Sequence, residues 1–129
     1  MSFDRLLTNI CSRDLARSRD FYVTLLGFAV GYDSDWYVQI HHPENAKLEL
    51  GIIKRDSDLV PDNYRASPAG MYLTVVVPDV DAVHARAVEL KVPVLQEPRN
   101  EFYGQRRALL VDPDGCLVDV CSPWGRGEN

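Results

Sequence analysis

Two apolar runs lie within residues 107–120, on either side of Asp112-Pro113-Asp114-Gly115, and the second alternates. Proline presets φ and glycine tolerates φ > 0, so this tetrapeptide is turn chemistry between two apolar runs and predicts a β-hairpin. With Val118 and Val120 on a core face, Leu117, Asp119 and Cys121 face the other way. Asp is a poor strand former, so Asp119 asks for a reason. Residues 36–50 repeat the pattern: Pro43 and Pro113, Asn45 and Gly115, and Glu49 and Asp119 are each 70 positions apart. In both copies a carboxylate between apolar neighbours follows the turn proline, which marks an internal repeat.

The remaining periodicities fit two copies of one unit. Residues 6–11 form an apolar run with strand character. Asp14 stands at an N-cap position, and Leu15, Ser18, Tyr22 and Leu25 follow at helical spacing up to Gly27. Residues 28–32 predict a second strand, and a hairpin over 36–53 completes the first half. Residues 54–69 are polar and proline-bearing, without periodicity, and read as a linker or lid. A strand over 71–77 restarts the pattern. Asp79 then caps a helix with Val80, Val83, Ala87 and Leu90 on its apolar face. Residues 92–96 predict a strand, 99–104 a loop, and the 107–120 hairpin closes the half. The expected organisation is one domain over 1–129, with a first module at 1–53, the linker at 54–69 and a second module at 70–124.

Composition narrows the function classes. A chain of 129 residues, 46% hydrophobic and 26% charged, is long enough for one globular core. Its net charge of −5, without a basic cluster in the sequence, argues against nucleic acid. Cys11, Cys116 and Cys121 have neither CxxC nor metal-knuckle spacing and read as reduced thiols, mostly buried, of a cytoplasmic protein. No apolar leader or membrane-length run is present in the sequence, so no membrane partner is expected. Nucleophile-elbow, P-loop and dinucleotide fingerprints are absent from it too.

Residues 14–22 (Asp-Leu-Ala-Arg-Ser-Arg-Asp-Phe-Tyr) followed by Leu26-Gly27-Phe28, and Gly104-Gln105-Arg106 running into Asp112-Pro113-Asp114-Gly115, resemble the vicinal oxygen chelate superfamily. That group includes glyoxalase I, extradiol dioxygenases, fosfomycin-resistance enzymes and bleomycin-resistance proteins, and the resemblance covers nearly the whole chain. It implies an α+β fold of two tandem βαββ modules forming a cupped, U-shaped mixed sheet, with helices outside and a ligand cleft inside. Members commonly pair, so a homodimer is expected.

The superfamily contains both metalloenzymes and metal-free binding proteins, and its fold does not choose between them. Metal-dependent members carry a His, Gln or Glu ligand on the first and last strand of each module. The last-strand positions here are Glu49 and Asp119. The first-strand positions, counted back seven from the capping aspartates, are Leu7 and Tyr72. Leucine has no lone pair and a neutral phenol is a poor partner for a divalent ion, while nickel or zinc wants nitrogen or sulphur ligands as well. No cofactor is expected on this reading. The alternative is a degenerate divalent-metal site at Glu49 and Asp119, with His41 as an improvised ligand.

Other residues fill out the expected cleft. Asn9 shares a face with Leu7, and Thr74 with Tyr72; Tyr37 and Gln39 share one with His41, which reads more simply as an exposed histidine of the turn. Alternation assigns Trp36 to the helix side with Val38 and Ile40. Leu109 lines the floor, and Phe102 and Tyr103 line a pocket or a dimer contact. Arg106 and Arg107 recognise an anionic ligand, or Arg107 pairs with Asp119 or Glu49; the sequence leaves both open. Tyr72 and Glu49 are candidates for a metal-free acid/base pair. The expected function is metal-independent binding or sequestration of a small organic molecule, uncharged or cationic, as in bleomycin-resistance proteins. The alternative is a lyase, an isomerase or a dioxygenase-like enzyme.

Overall fold

Both helices begin where an aspartate caps them. In the computed structural model, which describes residues 2–124, the Asp14 carboxylate accepts from the Arg17 N–H at 3.2 Å, and Asp79 accepts from the Ala82 N–H at 3.2 Å. Met1, first residue of the expected first module, and residues 125–129 lie outside the described residues. Helix α1 (Leu15–Leu26) stops at Gly27, whose φ of 81° suits glycine. Helix α2 (Val80–Glu89) buries Val80, Val83 and Ala87, as α1 buries Ser18, Tyr22 and Leu25. Leu90, placed by its spacing on the apolar face of α2, is instead its exposed C-cap, because Lys91 turns the chain away at a φ of 59°.

Two compact units divide between Pro68 and Ala69. The first contains β1 (Asn9–Ser12), β2 (Ala29–Asp33), β3 (Tyr37–His42) and β4 (Asn45–Lys54), in sheet order β1-β4-β3-β2. The second contains β5 (Leu73–Val76), β6 (Val94–Asn100), β7 (Gln105–Val111) and β8 (Leu117–Pro123), in order β5-β8-β7-β6. In each sheet the first strand pairs in parallel with the last and the other neighbours are antiparallel. These are the two tandem modules expected, each with a helix on one face of a mixed sheet.

One face of each sheet meets its helix and forms the core. Ile10, Val38, Ile40, Leu50 and Ile52 are buried on the α1 side, and Ala108, Leu110, Val118 and Val120 on the α2 side. Full burial of one such aliphatic side chain stabilises by about 1.5–3 kcal/mol. The hairpin turn is held by its own aspartate: the Asp112 carboxylate accepts from the N–H groups of Asp114 (2.9 Å) and Cys116 (2.8 Å). Gly115 takes a φ of 86° there.

Several boundaries differ from those expected. Strands β1 and β5 start at Asn9 and Leu73, leaving Leu7 and Tyr72 just ahead of them. Strand β6 continues through Pro98 to Asn100 rather than yielding to a loop at 99. As a sheet edge, β6 tolerates a proline. The segment after β4 holds one 3₁₀ turn (Asp62–Tyr64) and folds onto the first unit. There Val60 is buried, and the Cys11 thiol donates to the Tyr64 carbonyl at 3.5 Å.

The constant offset of 70 does not survive in the ladders. Gly51 lies across from Asn9 and Gln39, whereas the residue across from Thr74 and Leu109 is Asp119. Asp119 therefore takes the place of Gly51, and Glu49 sits one pleat period away on the same face. A bulge between the pairs His42–Asn45 and His41–Glu49 takes up residues 46–48 and displaces β4 by two. An even displacement keeps every side chain on its original face.

Candidate functional site

In the first module the polar face lies opposite α1 and is built around a glycine. Asn9, Gln39, His41, Glu49 and Tyr37 share this face with Gly51. A Cβ on Gly51 would overlap Asn9 Oδ1 and Tyr37 Oη. The vacant volume admits the Tyr37 hydroxyl, which donates to Asn9 Oδ1 at 2.6 Å. Gly31 on β2 opens space in the same way for Gln39 and His41. Burial raises the Tyr37 phenol above its ordinary pKa, with the Arg5 charge pulling the other way.

Glu49 is the best-held polar group of the face. Arg5 donates to it twice, Nε to Oε2 at 2.7 Å and Nη2 to Oε1 at 2.5 Å, while Gln39 Nε2 donates to Oε1 at 2.8 Å. The hydrogen bonds from Arg5 and then Gln39, with the Arg5 charge behind them, hold this carboxyl at about 2. Its side chain is 5% exposed under an arginine that is 60% exposed. His41 is not a turn residue: it is a half-buried member of β3 directly across from Glu49, because the chain turns only at Pro43. Its Nδ1–H donates to the His42 carbonyl at 2.9 Å.

Trp36 also departs from its expected place. It precedes β3, is exposed, and has its ring 5.3 Å from that of Tyr37 instead of joining Val38 and Ile40 in the core. The Tyr32 ring lies 6.4 Å from that of Tyr37. Leu7, half-buried ahead of β1, adds only apolar surface.

The second module presents its own polar face opposite α2. Asp119, with a side chain 8% exposed, accepts from Arg107 Nε at 3.1 Å and from the Thr74 hydroxyl at 3.0 Å. Burial works against the Arg107 cation, but the hydrogen bond and charge of Asp119 win, and its pKa rises. Tyr72 and Tyr103 both act on the Arg107 charge, and burial raises the Tyr103 phenol. Leu109, across from Asp119, supplies apolar surface. Gln105, on the same face, carries a buried Oε1 with no hydrogen-bond partner among the described residues. Arg106 faces the other way, donating to Asp81 at 2.9 and 3.0 Å and to Asn100 at 3.0 Å. Phe102 is 95% exposed in the turn before β7. Of the two roles considered for Arg107, the structure forms the ion pair.

Alternation contained the main residue overlooked. Arg5, Leu7 and Asn9 share parity, so a counterion for Glu49 was readable two positions before Leu7. Gln105 was equally readable, two positions before Arg107. The exposure of Tyr32 and Trp36 had no comparable signal, since β2 carries a bulge between Val30 and Tyr32.

A divalent transition metal does not fit these donors. Leu7 offers no lone pair, both Glu49 oxygens accept from Arg5, and Asp119 is divided between Arg107 and Thr74. A cation would have to displace a guanidinium from each carboxylate. Among the described residues, no group of three or more His, Cys, Asp and Glu is placed to hold an ion.

Comparison with known proteins adds a lineage to this geometry. The family model described as Glyoxalase/Bleomycin resistance protein/Dioxygenase superfamily matches residues 3–120. The structure of TnmS3, an antibiotic binding protein from Streptomyces sp. CB03234, is similar at 28% identity and a TM-score of 0.73, over 95% of this chain and 98% of that one. A glyoxalase/bleomycin resistance protein from the same organism is 28% identical, with a TM-score of 0.66 over 91% and 98% of the two chains. A superfamily member from Sphaerobacter thermophilus DSM 20745 shares the fold, with a TM-score of 0.77 at 20% identity over 95% and 98%. A comparison with curated protein sequences returns no match.

Proposed function

This chain belongs to the Glyoxalase/Bleomycin resistance protein/Dioxygenase superfamily, and from that premise we propose that it binds and sequesters a small organic molecule without using a metal. The observation that carries this reading is that both carboxylates assigned by sequence to the ligand positions have a guanidinium partner, Arg5 on Glu49 and Arg107 on Asp119. Neutralised in this way, the polar faces suit an uncharged ligand with an aromatic part better than a free cation. On the face of the first unit, Tyr37 with Trp36 and Tyr32 beside it offers ring surface, and Asn9 and Gln39 offer polar groups. Likeness to the antibiotic-binding TnmS3 supports an antibiotic-like molecule as the ligand class. The same reading takes the protein as a cytoplasmic homodimer.

Catalysis with Glu49 as base and Tyr72 as acid is the competing reading. A carboxylate held at about 2 is a weak proton acceptor at neutral pH, which favours binding over that chemistry. Calorimetry against a panel of aromatic antibiotics tests the proposal. Saturable binding that a chelator leaves unchanged is expected. One tightly held transition metal per chain by elemental analysis, or turnover that the metal restores, would overturn it.

A further inference from the structure

We infer that the first module carries a second site, for a phosphate-type oxyanion, at the ends of β1 and β4. A cavity of about 360 Å³ lies there, lined by Ser12 and Arg13 from the end of β1, Lys54, Arg55 and Asp56 from the end of β4, and Arg65. None of these residues belongs to the polar faces described above. The volume falls in the range of small-molecule pockets. Four of the six lining residues are cationic and one is anionic, in a chain whose net charge is −5.

Arg55 points to the ligand class. It is half-buried, its backbone N–H donates to the Ser12 carbonyl at 2.9 Å, and its Nε donates to the Arg65 carbonyl at 3.2 Å. Among the described residues no carboxylate lies within ion-pair distance of it. Its neighbours differ: Lys54 meets Asp56 at 3.9 Å, and Arg65 meets Asp62 at 3.1 Å and Asp58 at 3.8 Å. A partly desolvated guanidinium among like charges is unfavourable until an anion joins it. With Nε anchored on a carbonyl, the fork is pre-oriented, and a tetrahedral oxyanion accepts two parallel N–H bonds from such a fork. Arg65 Nε is fixed on the Val60 carbonyl at 2.8 Å, so the wall across from β4 is also held in place. With Lys54 and Arg65 each already meeting a carboxylate, Arg55 is the cation placed to take the oxyanion.

Titration calorimetry with inorganic pyrophosphate at low ionic strength tests the site, with sodium chloride at matched ionic strength as the control. Saturable binding near one per chain is expected, and Arg55→Gln should weaken it about ten- to a hundredfold, as loss of a charge-assisted contact does. Arg55→Lys keeps the charge but loses the fork and should weaken it in the same direction. Arg99→Gln, on an exposed arginine paired with Glu101, should leave it unchanged. Melting curves establish that each variant is folded, and if Arg55→Gln is not, Arg55→Lys decides. No saturable pyrophosphate binding, heats that chloride reproduces, or variants at Arg55 that bind as tightly as the parent would overturn the inference.

Discussion

Glu49 and Asp119 have similar surroundings but should behave differently when changed. The folded-state carboxyl of Glu49 is held at about 2 against an ordinary 4.5. A lowered folded pKa means that folding favours the ionised form. Its contribution is therefore complete above about 4.5 and is lost as pH falls through about 2. The melting temperature of Glu49→Gln should lie below that of the parent at pH 7, and the gap should close as the pH approaches 2. A gap that is absent at pH 7, or constant with pH, would show that the Arg5 pair contributes nothing to stability. Arg5 is mostly in solvent, so added salt should shrink the effect. Asp119 is a tighter case, since Asp119→Asn would leave a half-buried Arg107 without its counterion. That change should cost about 1.5–3 kcal/mol in chemical denaturation. Both carboxylates were legible because a carboxylate flanked by apolar residues in a strand is out of keeping with its neighbours. Their arginines are less so: by sequence Arg107 suits an ion pair or an anionic ligand alike, and Arg5 precedes the apolar run at 6–11.

Among the elements, those with punctuation were easiest to read. Asp14 and Asp79 cap their helices, Gly27 ends α1, and the Asp112–Gly115 turn closes its hairpin, each by a bond that the local sequence dictates. What depended on partners was harder. The start of β1, the length of β6 and the place of His41 are decided by pairing across strands, which periodicity along one strand does not contain. The displacement of β4 against β8 is the sharpest instance, because the turn residues align at 70 while the ladders do not. Gly51 shows what pairing adds, for in the sequence it is only a break in an apolar run. In the sheet it provides the volume that Tyr37 and Asn9 use. Gly51→Ala should therefore destabilise by about 1–3 kcal/mol and disturb ligand binding by moving the Tyr37 ring. An unchanged denaturation midpoint would mean that the tyrosine swings away without cost.

For the whole molecule, each unit has a helix-covered core and two edge strands in its sheet, β1 and β2 in one, β5 and β6 in the other. Open edges invite pairing. Val30 and Tyr32 on β2, Val76 on β5 and Leu95 on β6 are apolar and exposed. Light scattering at micromolar concentration should report twice the 14.6 kDa chain mass, and a monomer there would remove the homodimer while leaving the fold intact. Strand order has a further consequence, for the chain during synthesis. In both sheets the last strand made lies inside, β4 between β1 and β3, and β8 between β5 and β7. Neither sheet can close until its final strand has left the ribosome. The first strand of each unit must wait, unpaired, for a partner roughly forty residues downstream. Nascent chains stalled before β8 would therefore hold a first unit able to close and a second with β5 and β7 still lacking the strand that joins them, the interval in which such edges are most exposed to proteases and to one another.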